Sequence, residues 1–332
     1  MDKNTAIIIT SISAPNAVMK SFAEGSKQHG AEFIVIGDTK TPADFQLDGC
    51  NYYSVEQQRA LPFAFAKACP ERHYSRKNIG YLIAAKNGAE QIIESDDDNY
   101  PRENFWNNRS RKQQAYDISN EGWLNVYAHY SKGYIWPRGY PLEQLHKVVM
   151  PLESFDVKEL DCPIQQGLAD ENPDIDAVFR LTQALPHSFD YKHKIGLGNK
   201  TWCPYNSQNT THYKEAFPLL YLPSYCSFRM TDIWRSFVAQ RIAWENNWHI
   251  LFEEATVWQE RNEHNLLRDF EDEIPGYLNN AKIATTLEKL ELKKGTAHLG
   301  ENLITCYKAL IDINVIGSQE MPLLEAWISD LG

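Results

Sequence analysis

Apolar positions in the first hundred residues alternate between two periods. Ala6–Thr10 (AIIIT) is a short unbroken apolar run, the pattern of a parallel strand buried on both faces. Ser13-Ala14-Pro15 then offers a helix start, and Val18, Met19, Phe22 and Ala23 recur at helical spacing until Gly30. Phe33–Ile36 (FIVI) returns to a strand and runs into Gly37-Asp38, which completes a βαβ unit with the expected right-handed crossover. The same order repeats from Ser75. That residue can cap a helix with Ile79, Leu82 and Ile83 on one face, Gly88 can close it, and Gln91–Ser95 (QIIES) is a strand leading directly into Asp96-Asp97-Asp98.

From about residue 99 to 223 the pattern is irregular, with candidate strands at Gly133–Trp136 and Ala177–Leu181 whose order the sequence does not give. Thr231-Asp232 caps a helix carrying Ile233, Trp234, Phe237, Val238 and Ile242, and a strand is expected near His249–Phe252. Beyond Tyr277, Leu287 and Leu290, then Leu303, Ile304, Tyr307 and Leu310, then Leu324, Trp327, Ile328 and Leu331 mark three amphipathic helical segments. The expected fold is α/β: a nucleotide-binding sheet flanked by helices over 1–278, with a donor half to about 150 and an acceptor half from 151, followed by a small helical extension over 279–332.

Composition narrows the class. Of 332 residues 43% are hydrophobic and 23% charged, which suits a globular core. A formal charge of -11 repels phosphate backbones, so nucleic acid is not an expected partner. No apolar run nears the roughly 18 residues of a membrane span, and MDKNTAIIIT does not read as a signal peptide. Six cysteines without a C-x-x-C pair read as reduced thiols in a cytoplasmic protein.

Three successive carboxylates at a strand's carboxyl end lie where open α/β sheets bind ligands. Their mutual repulsion is relieved if a divalent cation sits among them, and hard oxygen ligands suit Mg2+ or Mn2+. In D-x-D, Asp96 and Asp98 can point one way while Asp97 points back; a solvated acidic turn before Pro101 is the plain alternative. Arg76 and Lys77, with Asn78 behind them, open the helix that feeds this strand and could meet a phosphate, or form an ordinary cationic first turn. Thr10, Ser11 and Asp38 follow the first two strands, suited to a base and ribose or to plain turns. Asp170, Glu171, Asp174 and Asp176 form a second acidic cluster, able to supply a general base for an acceptor hydroxyl or to remain a solvated loop. Asn206 and Gln208 lie in an amide-rich stretch fit for sugar hydroxyls.

The stretch from Arg76-Lys77-Asn78 through Glu94-Ser95-Asp96-Asp97-Asp98-Asn99 resembles the donor-site half of a glycosyltransferase with the GT-A fold, specifically the STELLO-type family first described as a domain of unknown function. Gly167–Asp176, Asn206–Thr210, Arg229–Arg235 and Gln259–Asn262 are similar to further blocks of that family, so the likeness runs from about residue 1 to 280. It implies Asp96 and Asp98 as the D-x-D pair, with Asp98 the stronger metal ligand. It also implies a late histidine completing the site, His264 first and His212 as fallback. The ion would neutralise the departing nucleoside diphosphate. The family's plant members are Golgi membrane proteins, and no matching anchor is read here.

The leading expectation is therefore a metal-dependent glycosyltransferase using Mn2+ or Mg2+, with a nucleotide-sugar donor, UDP-sugar favoured. Its acceptor would be a glycan or lipid-linked glycan in polysaccharide biosynthesis, met in the cytoplasm or peripherally at the inner face of a membrane. A sugar nucleotidyltransferase and a non-catalytic glycosyltransferase-like scaffold remain the alternatives. Ser11-Ile12-Ser13-Ala14-Pro15 lacks the glycine-rich phosphate loop that would favour the first of these.

Overall fold

The computed structural model describes residues 1, 4–260 and 265–332. Strands β1 (Thr5–Ser11), β2 (Glu32–Gly37), β3 (Asn51–Tyr53) and β4 (Gln91–Ser95) pair in parallel in the order β3-β2-β1-β4. β1 is buried almost throughout, as its unbroken apolar run requires. Its side chains alternate between two cores. Ile7 and Ile9 pack with Val18, Met19 and Phe22 of helix α1 (Ala17–His29), while Ala6 and Ile8 face Ile79, Leu82 and Ile83 of α4 (Lys77–Lys86). α1 is capped by the Asn16 side chain, which accepts from Met19 N–H at 2.9 Å, and it ends on Gly30 in the left-handed region at φ 72°. α4 lies so close to β1 that a Cβ on Gly80 would fall 2.5 Å from Ile8 Cγ2.

Short helices α2 (Val55–Ala60) and α3 (Ala64–Ala68) connect β3 to α4. Ser75 stands in a single tight turn, Tyr74–Arg76, ahead of α4 and does not itself cap the α-helix. Past β4 the sheet becomes mixed. The remaining strands are β5 (Asn99–Pro101), β6 (Lys112–Ile118), β7 (Gly122–Trp123), β8 (Val157–Asp161), β9 (Ile164–Asp170), β10 (Ile195–Leu197), β11 (Thr201–Trp202), β12 (Asn209–Tyr213) and β13 (Ile250–Gln259). β12 joins β4 antiparallel and the order continues β9-β13-β10-β6-β8, with β5 on β13, so eleven strands among the described residues form one sheet; β7 and β11 pair apart.

Two of the expected strands are absent. Gly133–Trp136 is an irregular loop. Ala177–Thr182 is helix α5, because Asp176 accepts from Phe179 N–H at 2.8 Å and caps a helical turn where apolar content alone suggested a strand. The late strand extends far beyond Phe252, and the expected helix forms as α6 (Thr231–Trp244). Thr231 and Asp232 lie in its first turn and do not cap it; the N-cap is Met230, with no side-chain cap bond.

The C-terminal helices α7 (Leu266–Glu288), α8 (Leu299–Asp312) and α9 (Glu320–Leu331) bear the three expected apolar stripes. Residue 278, the boundary expected from the sequence, falls inside α7. Trp327, Tyr307 and Leu310 share one core with Phe65 and Tyr221, so the helices are packed on the sheet unit and not appended to it. Glu320 fixes the chain before α6: its carboxylate accepts from Ser224 N–H at 2.9 Å, Tyr225 N–H at 2.7 Å and the Tyr221 hydroxyl. Burial pushes that carboxyl up. The six cysteines are unbridged, and no helix among the described residues is long and apolar enough to cross a membrane.

Candidate functional site

The parallel strands β1, β2 and β4 end together, and a cleft of about 590 Å³ opens beyond them. Thr10, Ser11, Asp38 and all three triplet aspartates line it, which is the placement expected at the carboxyl ends of such strands. Arg76 and Gln208 line it as well. Arg229, Asp232 and Gln259, from two of the family-like blocks, line it too, together with His73, Tyr74, Arg138 and Phe228, which sequence reasoning did not single out.

The triplet carries its own counterions and donors. Lys77 Nζ lies 2.9 Å from Asp96 Oδ1, and Tyr74 Oη donates to the same oxygen at 2.8 Å. Ser11 Oγ donates to Asp97 Oδ2 at 2.5 Å, and Gln259 Nε2 to Asp98 Oδ2 at 2.9 Å. Burial pushes the Asp97 carboxyl up, the Ser11 hydroxyl opposes this, and neighbouring Asp96 adds to it. Asp97 does not point away from the cleft; its Ser11 contact ties the β4 end to the β1 end. The Asn16 amide reinforces this link by donating to Asp97 O at 2.7 Å.

The expected phosphate-binding cations are otherwise engaged. Arg76 is buried and donates to Gln58 Oε1 at 3.0 Å and to the carbonyls of Cys69 and Pro70 at 3.2 and 3.3 Å. Gln58 in turn holds Gly37 O at 2.8 Å, so Arg76 supports the β2 end. Lys77 spends its protons on Asp96, Ser95 O, Ser207 O and Tyr74. Asn78 exchanges two hydrogen bonds with the Leu222 backbone, each 2.9 Å. Asp38 accepts from the amides of Thr39 and His73 at 2.7 and 3.0 Å, which orders the β2 loop against the turn before α4.

The expected acceptor-side base does not come to the cleft. Asp170 accepts from Phe189 N–H at 2.8 Å and pairs with Arg102 at 2.7 Å, while Glu171 accepts from Ser188 Oγ at 3.1 Å; neither lines the cavity. Asp174, from the same cluster, does line it. Asn206 is buried and its Oδ1 accepts from Gln208 N–H at 2.9 Å, a turn-forming role beside the cleft. His264 lies outside the described residues. His212 sits within β12, buried in the sheet, where burial and then Arg235 hold its imidazole well below the usual range and uncharged.

Behind the cleft a polar chain links two groups of acids. Tyr74 Oη lies 2.7 Å from Ser207 Oγ, which lies 3.3 Å from Asp232 Oδ2. Asp232 and Asp174 are both held by Arg138. Burial would push the Asp232 carboxyl up, but Arg138 beside it, with Arg235 behind, holds it at about 2. Arg138 lies in WPRGYP, a segment with no periodicity, so only its charge marked it. Asp232 was hidden by a good helix-start reading.

Two carboxylates of the triplet, Asp96 and Asp98, are hard oxygen donors exposed to one cavity. Among the described residues no three His, Cys, Asp or Glu side chains converge to hold an ion by themselves. Such a donor set suits Mg2+ or Mn2+, which bind through one or two carboxylates and complete their shell with water and phosphate oxygens.

Residues 229–332 match the family described as STELLO glycosyltransferases. The chain is also 26% identical to "Probable glycosyltransferase STELLO1" of Arabidopsis thaliana and 25% to "Probable glycosyltransferase STELLO2", in each case over 98% of this chain. The chain is thus similar to members of that family. It spans 44% of the length of either plant relative. Two solved structures overlap this chain more loosely. One is a mycobacterial protein, 11% identical, with TM-score 0.42 over 84% of this chain and 75% of that one. The other is M. tuberculosis glucosyl-3-phosphoglycerate synthase, 10% identical, with TM-score 0.41 over 84% and 81%. Those overlaps are too loose to argue from, and the fold rests on the strand order above.

Proposed function

We propose that this chain is a glycosyltransferase that moves a sugar from a nucleotide-sugar donor, a UDP-sugar by preference, to a glycan or lipid-linked glycan. The observation that carries this reading is the convergence of Asp96, Asp97 and Asp98 with Thr10, Ser11 and Asp38 on one cleft at the ends of three parallel strands. The STELLO likeness supports the reaction class. In the transfer the bond between the anomeric carbon and the diphosphate oxygen breaks with its electron pair on the diphosphate, the acceptor oxygen bonds to that carbon, and the acceptor proton passes to water. A divalent ion at Asp96 and Asp98, Mn2+ or Mg2+, would supply charge neutralisation of the leaving diphosphate.

The chain's own residues set the stage for this step. Lys77 and Tyr74 fix the Asp96 carboxylate, and Gln259 fixes that of Asp98, so neither has to be ordered when a donor arrives. Ser11 and Asp97 brace the β1 and β4 ends against each other. A lipid-linked acceptor would be met at a membrane surface, in keeping with the cytoplasmic-face setting expected from the sequence.

Calorimetric titration with UDP, with and without Mn2+, tests the reading. Binding should require the metal, and Asp98→Ala should abolish metal-assisted binding while the melting temperature stays within about 3 °C. Equal metal-assisted binding by the variant would remove the assignment.

A further inference from the structure

The cleft contains a charged group to which the donor reading gives no task. Arg138 binds Asp174 through Nε at 2.7 Å and Nη2 at 2.9 Å, and Asp232 through Nη1 at 3.0 Å and Nη2 at 2.9 Å. All three side chains line the cavity, yet they are 7%, 13% and 10% exposed for Arg138, Asp174 and Asp232, so the cleft is where their remaining surface meets solvent. Two acids on one arginine leave a surplus negative charge. Three neighbouring cations each have an acid of their own: Arg229 is held by Glu273 at 2.8 Å, Arg235 by Glu94 at 2.8 Å and Lys77 by Asp96 at 2.9 Å, while Lys40 and Arg72 line the same cleft.

The arrangement fixes what these carboxylates can do. Arg138 at bidentate range keeps Asp232 ionised far below neutral pH, so it acts as a hydrogen-bond acceptor and is a poor proton acceptor. Both Asp232 oxygens are already filled by Arg138, the Ile233 amide and Ser207, so its part is charge. Asp174 accepts one bond from Arg138 at each oxygen and keeps a lone pair on each for the hydroxyl groups of a sugar. Both acids repel a carboxylate. The group also lies close to the triplet. Only the Tyr74 and Ser207 hydroxyls stand between Asp96 and Asp232, with steps of 2.8, 2.7 and 3.3 Å. A sugar joined directly to a diphosphate at Asp96 and Asp98 therefore falls within its reach.

Building on the donor reading above, we propose that Asp174, Arg138 and Asp232 form the sugar-selecting wall of the cleft, which binds the hydroxyls of a neutral hexose on the nucleotide and rejects a uronate. The rejection comes from like charge, a device that sets specificity by penalising the wrong ligand. Asp174 and Asp232 are specificity-determining residues in this scheme, and Arg138 positions both.

The test is calorimetry with Mn2+ and three ligands: UDP, UDP-glucose and UDP-glucuronate. The wild type should bind UDP-glucuronate at least about tenfold more weakly than UDP-glucose. In Asp174→Asn, and separately in Asp232→Asn, that gap should shrink to within about threefold, because an amide of the same size removes the charge that repels the uronate while keeping one oxygen acceptor. UDP alone reports the diphosphate site. No UDP binding by the wild type overturns the donor reading and this proposal with it. UDP binding with glucuronate held as well as glucose overturns the proposal and leaves the donor reading standing. An unchanged gap in an amide variant that still binds UDP would mean that the three residues only brace the fold.

Discussion

Lys77 and Asp96 form an ion pair of 2.9 Å in which the lysine side chain is fully buried and the aspartate keeps 29% of its side-chain surface open to the cleft. The triplet thus stands at the mouth of a site with its charge already partly balanced from below. By sequence alone, the repulsion among three aspartates calls for an external cation. The fold supplies an internal one, 19 positions away along the chain. A divalent ion would then meet two net charges instead of three, which suits a metal shared with a diphosphate.

Breaking this pair should be felt as stability. Removing one partner of a buried ion pair typically costs about 3–5 kcal/mol, but Asp96 can rehydrate through the cleft, so Lys77→Met should destabilise by about 2–3 kcal/mol. Urea denaturation monitored by tryptophan fluorescence measures it. A loss below about 1 kcal/mol would show that Ser95 O, Ser207 O and Tyr74 are satisfied without the ammonium.

The alternation of apolar strand and amphipathic helix made β1, α1, β2, α4 and β4 legible, because strands buried on both faces have few sequence solutions. The triplet's position followed from that frame. What stayed hidden was set by long-range pairing. Arg76 and Lys77 looked like free cations, and nothing local reveals that Gln58 and Ser207 consume them. Asp176 and Ala177–Leu181 looked like loop and strand because short apolar runs do not separate the two periods; the cap decided the matter. Arg138 and Asp174 are 36 residues apart and meet only once the sheet is assembled. The charge of Asp170 and Glu171 suggests a base, but Asp170 at the end of β9 pairs with Arg102, and Glu171 just past it accepts from Ser188, away from the cleft.

Asp176 gives a pH signature of the packing behind Asp174. Burial pushes its carboxyl from 3.8 up to about 7, against the hydrogen bonds from Phe179 N–H and the Trp136 indole, with Glu273 and Asp174 adding to the rise. The folded chain therefore holds a proton between about pH 4 and 7 that the unfolded chain has lost. Stability falls as pH rises through that window, and the penalty is complete above it. Asp176→Asn keeps the cap and removes the titration, so the variant should gain on the wild type by up to about 4 kcal/mol between pH 4 and pH 8. Denaturation curves at pH 4, 6 and 8 decide this; a constant difference between the two proteins would contradict it.

The last expectation concerns the two hydroxyls that join the triplet to Asp232. Tyr74 Oη can donate to Asp96 or to Ser207, and Ser207 Oγ can donate to Tyr74 or to Asp232. Two protons thus serve three positions, so the direction of one bond constrains the other. Removing either hydroxyl frees the survivor to choose its partner, which makes the effects of the two changes interdependent. Tyr74→Phe, Ser207→Ala and the double variant should form a thermodynamic cycle with a coupling of about 0.5–3 kcal/mol. Tyr74→Phe alone should also weaken metal-assisted UDP binding by roughly tenfold or less, since Asp96 loses one charged hydrogen bond but keeps Lys77. Ser207→Ala should affect UDP much less, because Tyr74 then donates to Asp96 without competition. If the two changes are additive in stability and equal in their effect on UDP, the hydroxyls are independent fillers and the chain from Asp96 to Asp232 carries no coupling.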